Sequence, residues 1–195
     1  MSVSLSTGQR IRLEGQSGPP VIRLGLGWQG APRKRLFGSS RRRAVDLDAS
    51  AVLYASGTLA DVVFFRHLVS NDGSVRHAGD LRVGTSGPSE QSEDTESITV
   101  DLGRIPPRIT QIVFTVNSYN GQSFAEVQHF HCRLVDEASG AELARFTLSG
   151  GGEHSGQVMA KVDRDEDGAW QLTAIGVPAQ GRTFRDMLPV IEQYL

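Results

Sequence analysis

Val45-Asp46-Leu47-Asp48-Ala49-Ser50-Ala51-Val52-Leu53 is the stretch that decides the fold class. Apolar residues fall at Val45, Leu47, Ala49, Ala51 and Leu53, a strict alternation that predicts a half-buried β-strand. Successive side chains of a strand point to opposite faces, so Asp46 and Asp48 emerge together on the other side. Two carboxylates on one patch repel, and strands disfavour Asp. A hard cation neutralises such a pair most simply. Ca²⁺, which takes about six to eight oxygen ligands in irregular geometry, suits carboxylates gathered from different segments.

Working outward, the same short-strand grammar recurs. Val21–Trp28 reads as a strand ending at a glycine turn, followed by an apolar run over Asp61–Phe65 and an alternating one over Ile98–Leu102. Pro106-Pro107 breaks the chain before Ile109–Val116, which is rich in β-branched residues. Glu142–Leu148, Gln157–Val162 and Trp170–Ile175 complete the set. Many short strands punctuated by turn residues predict a mainly β chain, a sandwich of two antiparallel sheets with one or two short helices. Trp28, Phe64, Phe114, Val116 and Trp170 are the expected core. One helical turn is expected near 122–127. A second helix follows from Phe184, Met187, Leu188 and Ile191 at i, i+3, i+4 and i+7, with Asp186 as its cap and Pro189 in its first turn.

Downstream of the acidic strand, residues 70–80 and 84–96 are dense in Gly, Ser, Asp and Glu, which marks loops. Asp80, Asp94 and Glu96 stand at the ends of this excursion, and Gly84 can turn a backbone carbonyl inward. Two readings stand. The loop is either a solvated acidic segment or the second half of a cation site, with Asp46, Asp48, Asp80, Asp94, Glu96 and the Gly84 carbonyl around one ion. All are hard oxygen donors, which favours Ca²⁺ over zinc or copper.

Several uncommon strings, in order, resemble the TerD family of tellurium-resistance and stress-response proteins. They are Met1-Ser2-Val3-Ser4-Leu5, Gly25-Leu26-Gly27-Trp28, Asp46-Leu47-Asp48-Ala49-Ser50, and Asp72-Gly73-Ser74-Val75-Arg76-His77-Ala78-Gly79-Asp80. Ile112–Val116 and Glu142–Phe146 match later strands, so the resemblance spans nearly the whole chain. It implies a calcium-binding β-sandwich, from a family that includes proteins described as cAMP-binding. It also implies a role in stress response without catalysis, and partners among proteins of the same family or in a membrane-associated complex. Two departures bear on the ion. Leu81 follows Asp80 where the family continues with Asn, and Phe65-Arg66-His67 stands where the family commonly has Tyr-Asn-Asn. Arginine cannot ligate a metal. A weaker site than the family's, or one site in place of two, is therefore expected.

Composition sets the remaining bounds. At 195 residues, with 38% hydrophobic content and a mean hydropathy of −0.24, the chain is expected to form one domain over 1–195. A formal net charge of −2 and an isoelectric point near 6.2 give no global pull toward nucleic acid. The single cysteine, Cys132, fits a reducing compartment, and a cytoplasmic location, with or without contact to the inner face of the membrane, is expected. The one strongly basic stretch, Arg33-Lys34-Arg35 and Arg41-Arg42-Arg43 around Leu36-Phe37-Gly38, is either a solvated loop or a footprint for an anionic surface. The second possibility supports an alternative function, an interaction module that has partly lost calcium.

No Gly-x-Ser-x-Gly elbow is present, and His129, His131 and Cys132 lack a second ligand pair at zinc spacing. Asp163–Gly168 matches the first half of an EF-hand loop, but its twelfth position is Ala174 and Asp167-Gly168 is a hairpin signal.

Overall fold

The computed structural model of the chain describes residues 2–15, 18–30, 32–33, 41–42, 46–79, 94–147 and 152–195. Two six-stranded sheets face each other. The first runs in the order β1 (Val3–Ser4), β12 (Glu142–Thr147), β11 (Val127–Asp136), β3 (Val21–Gly30), β9 (Glu96–Asp101), β8 (Val75–His77). The second runs β2 (Arg10–Arg12), β14 (Trp170–Ala179), β13 (Gly156–Arg164), β10 (Gln111–Asn117), β6 (Asp48–Ala55), β7 (Thr58–Val63). Neighbours are antiparallel except β1, which lies parallel to β12. The expected sandwich is the observed one.

Between the sheets lies a core in which the alternating residues of facing strands interdigitate: Ile22, Leu24 and Leu26 of β3, Ala49, Ala51 and Leu53 of β6, Ile112, Phe114 and Val116 of β10. Trp170 is buried there too, its indole N–H donating to the Leu102 carbonyl at 3.2 Å and its ring stacked under Arg164. Trp28 and Phe64 are only partly buried. Trp28 packs at the rim of the core, and Phe64 lies in the turn after β7, which ends at Val63.

β6 is buried on both faces, not on one. Val52 and Tyr54 point away from the main core, yet both are almost fully covered. They meet Val113 of β10 and the apolar stripe Phe184, Met187 and Ile191 of helix α1 (Phe184–Ile191), a second core on the outside of the second sheet. The helix begins three residues earlier than a cap at Asp186 implies. Thr183 is the N-cap, and Asp186 sits in the first turn and reaches back. Its Oδ2 accepts from the backbone N–H groups of Arg182 (2.9 Å) and Thr183 (3.0 Å) and from the Thr183 hydroxyl (3.1 Å). Pro189 therefore lies inside the helix, on its exposed side, where its missing N–H costs one intrahelical bond.

Two loop readings resolve simply. Asp165–Gly168 is a hairpin tip, Gly168 having φ of +80° and donating to the Asp165 carbonyl. His129 has φ of +53° at a register shift in the pairing of β11 with β3. The basic stretch forms a short antiparallel ribbon, β4 (Pro32–Arg33) with β5 (Arg41–Arg42). Lys34, Arg35 and Arg43 lie outside the described residues. No described helix is long and apolar enough to cross a membrane.

Candidate functional site at one end of the sandwich

The alternation of β6 sets the acidic end. Leu47 and Ala49 turn into the core, while Asp46 and Asp48 fall on the outer side, as expected. Asp46 is exposed, its backbone N–H held by Gln122 Oε1 at 3.2 Å. Asp48 is half-buried and opposes Asn117 of β10 in the register.

Glu96 points the other way. As the first residue of β9 it shares the inward face with Ile98 and Val100, and it is buried. Its Oε2 accepts from the Ala49 backbone N–H at 2.5 Å and lies 3.5 Å from Nε2 of buried His77. His77 Nδ1 accepts from the Gly79 N–H at 2.9 Å, so a neutral ring carries its proton on Nε2, facing Glu96.

Asp94 goes to a third layer. A bend at Thr95 turns it onto the outer face of the first sheet. There it is almost fully buried, bonded to Arg133 through two contacts of 2.6 and 2.9 Å and to Arg23. Gly25 makes the room: a Cβ at this position would occupy the space of the Asp94 carboxylate. Arg23 also bonds Glu137, and Arg133 lies 3.9 Å from Glu142, which pairs with Arg145 at 2.6 Å. The Arg145 bond, with help from Ser2, pulls the Glu142 carboxyl down to about 2. The outer face of the first sheet thus carries a continuous charge ladder.

Asp48, Glu96 and Asp94 therefore stand on the outside of one sheet, between the sheets, and on the outside of the other. The structure brings Asp46 and Asp48 to one edge, but not Asp94 or Glu96 with them. Asp80 and Gly84 lie outside the described residues. Among the described residues no three His, Cys, Asp or Glu side chains gather as a metal-binding group. Glu96 instead ties the start of β9 to Ala49, the residue after Asp48, and the His77–Gly79 bond holds the backbone just after β8.

Beside Asp48 a cleft of about 270 Å³ opens on the outer face, floored by Ser50 and Asn117 and rimmed by Arg66, Arg182 and Arg185. Sequence reasoning missed this cleft and the Asp94 bracket. Arginines 116 residues apart carry no sequence signal that they converge. The bracket does leave one trace: Gly25 and Gly27 alternate on a single face of β3, leaving it bare for side chains from neighbouring segments. His131 lies over Gly27 as Asp94 lies over Gly25.

Comparison with known proteins agrees with this architecture. The TerD domain family matches residues 1–188. Tellurium resistance protein TerZ of Serratia marcescens is 40% identical over 189 residues, covering 95% of this chain and 94% of its own. Stress response protein SCP2 of Bacillus subtilis is 29% identical over 204 residues, covering 96% and 98%. The crystal structure of a telluride resistance protein homologue from Streptomyces coelicolor has the same fold, with a TM-score of 0.62 at 19% identity over 83% of this chain and 91% of that one. The chain belongs to the TerD family of tellurium-resistance and stress-response proteins.

Proposed function

We propose that this chain is a non-catalytic calcium-binding domain of a tellurium-resistance or stress-response system. Its ion would be held at the Asp46–Asp48 edge, with Asp80 and the Gly84 carbonyl as the remaining donors. The observation that carries this reading is the 2.5 Å bond from Ala49 N–H to Glu96, which anchors the acidic excursion beside the strand bearing Asp48. Asp94 is committed to two arginines and Glu96 to Ala49 and His77, so both act as struts. The donor set shrinks accordingly, and affinity falls toward the weak end of protein calcium sites, about 10⁻⁴–10⁻³ M.

Thermal unfolding with and without Ca²⁺ tests this. A free concentration of 100 times Kd stabilises the native state by about 2.7 kcal/mol. For a domain of this size that raises Tm by roughly 5–10 °C. Asp48→Ala removes the shift and leaves the calcium-free melting point near its starting value. A melting curve unmoved by Ca²⁺ at about 10–100 mM, 100 times this Kd, would discard the calcium reading.

The β4–β5 ribbon favours a second reading, docking to an anionic surface. Pairing sets Arg33 opposite Arg41 in the register. Binding to acidic vesicles that weakens steeply with salt, and is lost in a triple Ser replacement of Arg41, Arg42 and Arg43, supports it. Salt-independent binding removes it.

A further inference from the structure

We propose that the cleft between the β6–β10 edge and the start of α1 binds a small organic anion: a phosphate monoester carried on a planar ring. Three features converge there. First, Arg66, Arg182 and Arg185 all line it and all are exposed, and none lies within ion-pair distance of a carboxylate of the described residues. Against them stands the single charge of Asp48, so the cleft is net cationic. Arg182 and Arg185 also flank the N-terminus of α1, where the helix dipole disfavours cations. Arg66 lies over the Phe65 ring and Arg185 over the Phe184 ring, and Arg182 feels the Asp186 carboxylate, yet none has a carboxylate within ion-pair distance among the described residues, so an anion adds compensation.

Second, the wall is aromatic. Phe65 and Tyr119 meet edge to face with centroids 6.0 Å apart, and Phe64 joins Phe65 at 5.5 Å and Phe184 at 5.3 Å. Tyr119 remains 48% exposed, an uncommon setting for so large a ring, and it offers a stacking face to whatever enters. Third, the floor is polar and buried. Asn117, 3% exposed, donates its Nδ2 to the Arg182 carbonyl at 2.6 Å, which leaves its Oδ1 as an acceptor with no described protein donor. Ser50, 2% exposed, lies beside it.

Size selects among anions. The cleft holds about 270 Å³, roughly nine water volumes at ~30 Å³ each. An inorganic oxyanion fills a small part of that and leaves the aromatic wall wet. A ring with a phosphate head uses all three features: head on the arginines, ring on Tyr119 and Phe65, ring substituents that donate to Asn117 or Asp48. Calcium at the Asp46–Asp48 edge would engage Asp48, which also lines the cleft, so the anion's own affinity is read without the metal. Measurement in EDTA isolates the protein's own groups.

Isothermal titration in EDTA with phenyl phosphate, inorganic phosphate and phenol is the test. Phenyl phosphate is expected to bind at least about ten-fold more tightly than either fragment, since stacking and charge-assisted hydrogen bonds each contribute that much. Arg66→Gln and Arg182→Gln each weaken it about ten-fold, and Tyr119→Ala reduces it to the affinity of inorganic phosphate. All three side chains are exposed, so melting points near wild type confirm intact folds, and Arg185→Glu provides an independent charge reversal. A nucleoside monophosphate that binds more tightly than phenyl phosphate assigns the ring to a nucleobase, and the reverse order assigns a simple aryl phosphate. Equal affinity for phosphate and phenyl phosphate, no binding at millimolar concentration, or folded variants that bind as well as wild type each overturn the proposal.

Discussion

A double-mutant cycle of Gly25→Ala with Asp94→Ala distinguishes a structural strut from a metal ligand at Asp94. The Asp94 side chain is 5% exposed between Arg23 and Arg133, themselves 26% and 17% exposed. Removing one partner of a fully buried ion pair costs about 3–5 kcal/mol. Here both arginines keep some water, and each has a second acid, Glu137 and Glu142. The expected cost is therefore smaller, about 2–3 kcal/mol. Gly25→Ala places a methyl where the carboxylate sits, which expels Asp94 and adds overpacking, again about 2–3 kcal/mol. Once Asp94→Ala has emptied that space, Gly25→Ala is expected to cost under about 0.5 kcal/mol. The coupling is then about 2 kcal/mol, within the range seen for residues in contact. Urea unfolding in EDTA reads all four corners. Additive effects, or a Gly25→Ala cost below about 0.5 kcal/mol in the parent, would refute the bracket. An Asp94→Ala effect that appears only when Ca²⁺ is present would return Asp94 to the ion.

Glu142→Gln probes the same charge ladder by pH. The Glu142 carboxyl is held near 2 in the folded chain, below its ordinary value, by the Arg145 hydrogen bond first and then by Ser2 and the charges of Arg145 and Arg133. Its contribution is thus complete above the ordinary glutamate range and is lost as pH falls toward 2. With partial solvent screening, the wild type should lose about 1–2 kcal/mol more than the variant across that window. Parallel unfolding free energies from pH 5 to 2 count against this. Asp186→Ala removes the carboxylate that closes the first turn of α1 and should cost about 1 kcal/mol by urea unfolding. No loss there means that α1 is held by Phe184, Met187 and Ile191 alone.

Much of the fold was legible in the sequence because strand alternation is a local signal. Asp46 and Asp48 had to share a face opposite Leu47 and Ala49 once the segment was extended, and the structure keeps them so. The helical stripe from Phe184 to Ile191 was legible for the same reason, although its cap was displaced to Thr183 by a carboxylate that reaches backward. What periodicity does not carry is the outcome of pairing between distant strands. One face of β6 looked solvent-facing because its residues are mixed, yet α1 returns more than 100 residues later to cover Val52 and Tyr54. Asp94 and Glu96 looked like donors to the same ion because both are acidic and stand at the end of one loop. A bend at Thr95 sends one to arginines on an outer sheet face and the other to a histidine between the sheets. A carboxylate's fate depends on which cation or N–H group the fold brings within about 3 Å. The local chain determines only the side to which the carboxylate points, and tertiary packing determines what is waiting there.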